Sequence, residues 1–132
     1  MQFRSHYTLV LFFSILISTV NLSASSAELD FTNSVIVTSR KLEKLEQKAV
    51  TVLREEIQKR TGIQLNTVTR WPENKLPVIA IGQKEQIKSF AGPYSDILEK
   101  GQTLNKEGFR LLIKENVILV VVNDPRGVFY GV

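Results

Sequence analysis

The sequence predicts an α+β domain: a mixed β-sheet with one long helix and one or two short helices packed on it. Three stretches carry this expectation. Val117 to Val122 (VILVVV) is an unbroken apolar run. A run without polar alternation suits a strand covered on both faces, so it is expected at the centre of the sheet. Before it, Gly108 to Lys114 alternates, with Phe109, Leu111 and Ile113 pointing one way and Arg110 and Lys114 the other. The intervening Glu115-Asn116 suits a two-residue hairpin turn. The third stretch, Arg40 to Thr61, repeats apolar residues at spacings of three and four, the period of an amphipathic helix. A hairpin beside helical crossovers points to a mixed sheet carrying helices, although strand order is not legible from this pattern.

In chain order, the first segment is expected to be an export signal rather than part of the fold. Arg4 supplies a positive start, Leu9 to Val20 an apolar core, and Ser25-Ser26-Ala27 the small residues of a cleavage site between Ala27 and Glu28. That core is too short to span a bilayer, which needs about 20 residues, so no stable membrane anchor is expected. The mature domain is then 28–132, secreted or periplasmic. Its first strand is Ser34 to Thr38 (SVIVT), rich in β-branched residues. Ser39 is a plausible N-cap for the long helix, whose buried stripe is Leu42, Leu45, Ala49, Val52, Leu53 and Ile57. Glu55 with Lys59, and Glu56 with Arg60, form i,i+4 pairs in the favourable order, and Gly62 supplies a left-handed cap.

A second strand is expected at Gln64 to Arg70, a loop at Trp71 to Lys75, and a third strand at Val78 to Ile81 ending at Gly82. Gln83 to Phe90 suits a short helix ended by Gly92-Pro93, and Tyr94 to Lys106 reads as loop with one helical turn near Asp96 to Lys100. After the apolar run, Asp124 is placed to cap a helix that Pro125 would open, since a missing N–H costs nothing at the first helical position.

Composition excludes more chemistry than it suggests. There is no cysteine, and the one histidine, His6, lies in the export segment. A mature chain so made lacks the zinc site of common type, the Ser-His-Asp triad and the thiol nucleophile, and no metal or cofactor is expected. Without disulfides it must be stabilised by packing. The charge of +4 is spread along the chain and does not call for nucleic acid.

The candidate groups are few. Glu55-Glu56 is a solvated helix face, because adjacent helical side chains diverge by about 100°. Asp124 after an apolar strand hints at a dinucleotide fold, yet the first strand–helix junction, Thr38-Ser39-Arg40-Lys41, lacks the required glycines. Trp71 is a weak candidate for stacking on a sugar, packing being the commoner use of a lone loop tryptophan. Phe129 and Tyr130 suit contact with a following domain, and Arg126 is either a solvated turn residue or an anchor for that contact. No catalytic residue emerges.

Thr61-Gly62-Ile63, Ile79-Ala80-Ile81-Gly82, Glu107-Gly108-Phe109-Arg110-Leu111 and Asn123-Asp124-Pro125-Arg126-Gly127-Val128-Phe129-Tyr130-Gly131-Val132 follow one another in this order. Together they resemble the N-terminal α+β domain that precedes the catalytic barrel in bacterial β-N-acetylhexosaminidases (family 20) and α-glucuronidases (family 67), with family 84 related. The closing Asp-Pro-Arg-Gly-Val-Phe-Tyr-Gly is the most specific part. The resemblance implies a zincin-like fold without the metal motif and a non-catalytic role. It also implies that Gly127, Tyr130 and Gly131 lie at a domain junction. A catalytic (β/α)8 barrel is expected in cis after Val132, with its carboxylates at the ends of barrel strands and a polysaccharide or glycan as its substrate. A stand-alone secreted carbohydrate-binding or interaction module is the alternative, with Trp71 as its surface contact.

Overall fold

A computed structural model describes residues 30–101 and 103–132. Its centre is a five-stranded sheet made of β1 (Val35–Thr38), β2 (Asn66–Val68), β3 (Val78–Gln83), β4 (Phe109–Lys114) and β5 (Val117–Val122). The strands lie in the order β2-β1-β3-β5-β4. The first four in this order run parallel, and β4 pairs antiparallel with β5 at one edge. The sheet is therefore mixed, as the hairpin and crossovers predict. Its centre, however, is β3 (VIAIGQ), and the apolar run β5 lies one place towards the edge. Both are parallel strands covered on two faces, so composition alone does not rank them.

Strand alternation divides the core into two layers. Val37, Val78, Ala80, Val117, Leu119 and Val121 face a cluster with Ile87, Phe90 and Leu98. Ile36, Ile81, Val120 and Val122 face the opposite cluster with Ala49, Val50 and Val128. The first layer is closed by α2 (Ile87–Phe90) and α3 (Ser95–Glu99), and the second by α1 (Lys44–Thr61) and α4 (Gly127–Gly131). Leu119, Ile36 and Phe90 are at most 1% exposed. Fully burying a side chain of this size contributes about 1.5–3 kcal/mol.

The long helix starts later than its periodicity suggests. Ser39 is buried and its hydroxyl donates to the carbonyl of Lys41 rather than capping a helix. The N-cap is Glu43, whose N–H donates to the Glu46 carboxylate at 2.8 Å. Residues 39–43 are thereby left as a non-helical connection that bends at Arg40 and Lys41. The far end agrees with the sequence: Gly62 takes a φ of 76° and its N–H donates to the Gln58 carbonyl. Of the expected ion pairs, Glu56–Arg60 forms at 3.1 Å, while Lys59 turns to Glu56 instead of Glu55. All are exposed, and such pairs contribute little.

The remaining differences are local. β2 has three residues where seven were expected. β3 continues through Gly82, which accepts the Phe90 ring where a Cβ would lie 2.5 Å from it. Two short 3-10 turns, Lys84–Gln86 and Gly92–Tyr94, precede α2 and α3. The hairpin turn is Glu115-Asn116, with Lys114 opposite Val117 and Glu115 at a φ of 51°.

Candidate functional site

Two regions of the surface are organised by the fold. The first is the face of β4 that continues the α1–α4 layer. Antiparallel register sets Phe109, Leu111 and Ile113 opposite Val122, Val120 and Ile118. The β5 residues of this row are covered, whereas the β4 residues are not: Phe109 is 45%, Leu111 50% and Ile113 54% exposed. The other side of β4 turns inward, where Leu112 packs on the core and Arg110 donates to the Leu98 carbonyl at 2.6 Å. Alternation along β4 is thus as the sequence indicates, but its more apolar side is the uncovered one.

Helix α4 lies beside this row. Gly127 and Gly131, one turn apart, face the sheet: a Cβ on Gly127 would meet the Gly108 carbonyl at 2.9 Å, and one on Gly131 would meet Val120 at 2.5 Å. With the small residues inward, Phe129 and Tyr130 project outward, 41% and 63% exposed. Of the candidate junction residues, Arg126, Phe129 and Tyr130 therefore lie on the surface and Gly127 is buried against its own sheet.

The approach to α4 is fixed by Asp124. Its carboxylate accepts from the backbone N–H of Glu107 (2.7 Å), Arg126 (3.0 Å) and Gly127 (3.2 Å). The last two are the donors an N-cap satisfies, although the regular helix begins only at Gly127. These bonds, that from Glu107 foremost, hold the Asp124 carboxyl below the usual carboxylate range against the opposing effect of desolvation. Arg126 pairs with Glu107 at 3.1 Å, which ties the turn to the start of β4.

Trp71 is half-buried and packs against the α2–α3 layer. Its ring lies 5.8 Å from that of Tyr94 and in contact with the Cα side of Gly92. The expected cleavage residues Ala27 and Glu28 lie outside the described residues.

The second region is a cleft of about 460 Å³ lined by Ser39, Arg40, Lys41, Gln86 and Ser89. It joins the β1–α1 connection to the turn after β3, and nothing in the sequence pattern brought these residues together, because the two turns are more than forty residues apart. Among the described residues, no group of three or more His, Cys, Asp or Glu is placed to hold a metal ion. Among the same residues, no helix is long and apolar enough to cross a membrane.

A search of curated proteins finds no match to this chain. A family model described as glycosyl hydrolase family 20, domain 2, matches residues 18–132. Of the families that the residues resemble, family 20 is the one this match carries, and the mixed sheet with its few helices is consistent with it. The chain belongs to the glycosyl hydrolase family 20 domain 2 family, the N-terminal non-catalytic domain of such hydrolases.

Proposed function

We propose that this is the accessory domain of an exported β-N-acetylhexosaminidase-type hydrolase, and that it supports a catalytic barrel in the same polypeptide. The observation that carries this reading is the uncovered apolar face formed by Phe109, Leu111 and Ile113 on β4 with Phe129, Tyr130 and Val132 beside it. Contiguous apolar surface of this kind marks an interaction site. Sugars are recognised through hydrogen-bonding groups placed among aromatic ones. The β4 row instead presents aliphatic side chains and a phenyl ring without polar partners, which suits packing against protein. In this reading the chain contributes no catalytic group; the carboxylates that cleave the glycosidic bond belong to the barrel.

The test is made in the protein that joins this chain to its catalytic domain. Leu111→Ser with Ile113→Ser should lower the unfolding midpoint and make the domain junction sensitive to limited proteolysis. Each side chain so removed forfeits up to about 1.5–3 kcal/mol of burial. An unchanged midpoint and digestion pattern would sink the proposal. Export by the segment 1–27 predicts a mature N-terminus at Glu28, which mass spectrometry of the exported protein checks; a chain still beginning at Met1 would contradict it.

A further inference from the structure

We infer that the cleft between the β1–α1 connection and the turn after β3 is a binding site for a hydroxylated carboxylate, a uronate-like saccharide unit. Its position follows from topology. The chain leaving β1 passes through α1 on one face of the sheet, while the chain leaving β3 passes through α2 and α3 on the other. The two strands are parallel neighbours, so their connections diverge at their carboxyl ends and leave a crevice between them. Open sheets with parallel strands bind ligands at such switch points. The cleft here is formed at that place by Ser39, Arg40 and Lys41 from one connection and Gln86 and Ser89 from the other. Its volume of about 460 Å³ is that of a small-molecule site.

The lining specifies the ligand. Arg40 and Lys41 are exposed, and among the described residues neither has a carboxylate within salt-bridge distance. An anion in the cleft therefore meets two cations that no acid among the described residues pairs with, and the planar Arg40 guanidinium is suited to a carboxylate. The N-terminus of α1 does not take part, because Glu43 and Glu46 already occupy it. Two acids there, and no glycine in residues 39–43, disfavour a nucleotide-type phosphate cradled by backbone N–H groups.

The other lining groups offer acceptors. The Ser39 hydroxyl donates to the Lys41 carbonyl from a buried position, while the Ser89 hydroxyl donates to the Gln86 carbonyl and its exposed oxygen is left free to accept. Gln86 extends its amide nitrogen towards the Lys41 carbonyl at 3.5 Å, across the two connections. Its Oε1 is buried without a donor among the described residues. A buried acceptor left unpaired is costly, so an amide that turns outward to take a ligand hydroxyl in the cleft is relieved of that cost. An anion that also carries hydroxyl groups satisfies both halves of the cleft. None of these residues belongs to the apolar face on which the accessory role rests, so either proposal stands if the other fails.

The experiment is a calorimetric titration of the full protein that carries this chain, with glucuronate, methyl glucoside and acetate as probes. Comparison with Arg40→Gln combined with Lys41→Gln separates this cleft from any other sugar site. Both side chains are exposed, so the variant retains the fold. The expected result is saturable glucuronate binding weakened at least about tenfold in the double variant. Methyl glucoside and acetate should show no component sensitive to the substitutions. Glucuronate binding that the variant leaves unchanged, no saturable binding, or an equal variant-sensitive response to acetate would each overturn the proposal.

Discussion

Asp124 shows how much of this domain hangs on one side chain. A single carboxylate accepts from Glu107, Arg126 and Gly127 and so joins the strand β4, the turn after β5 and the start of α4. Asp124→Ala should therefore lower the thermal unfolding midpoint, with the loss concentrated in protection of the amides of residues 126–131 from hydrogen exchange. The effect carries a pH signature. Because the folded carboxyl is held below its ordinary value by these N–H groups, the ionised form contributes its stability above the unfolded value, about pH 4. That contribution is lost as pH falls through the lower folded value. The gap between the midpoints of the wild-type and Asp124→Ala proteins should be full near neutrality and close in strong acid. A gap that widens on acidification would refute this account. The sequence announced this residue through Asp-Pro, but the bond to Glu107 joins positions seventeen apart, and no local pattern reports it.

At the scale of elements, α4 is placed by its small residues. Gly127 and Gly131 recur at a helical repeat and let five residues lie close over β4 and β5. A helix this short is far below the length at which helices persist alone, so contact with the sheet holds it. Gly131→Val puts a branched side chain where a Cβ already meets Val120 at 2.5 Å. It should destabilise the domain by about 1–3 kcal/mol in denaturant unfolding, as overpacked cores do. A variant as stable as the wild type would mean that α4 is not seated as described. The same scale explains the misplaced helix start. Apolar periodicity from Leu42 onward continues outside α1 because Leu42 also packs on the core from the non-helical connection. A hydrophobic pattern records which side is buried, and it does not mark where hydrogen bonding begins; the cap at Glu43 does.

For the whole molecule, the decisive feature is the inequality between the two sides of the edge strand. β4 covers one side with Arg110 and Leu112 turned to the α2–α3 layer and leaves Phe109, Leu111 and Ile113 open on the other. An apolar edge strand is an association hazard for a free domain and an asset for one built to receive a neighbour, which is the physical content of the accessory role. The sequence by itself determined the kinds of element and their order, though not all of their bounds. Strand and helix periods, the Gly62 cap, the Glu115-Asn116 turn and the absence of cysteine are local or compositional facts, each fixed by a few neighbouring residues. Tertiary structure alone decided that β3 is the central strand and that the apolar row of β4 faces outward. It also brought Arg40 and Lys41 beside Gln86 at the divergence of two connections. These depend on which strands pair and on which face each crossover passes, and alternation along a single strand is the same whichever face is left uncovered.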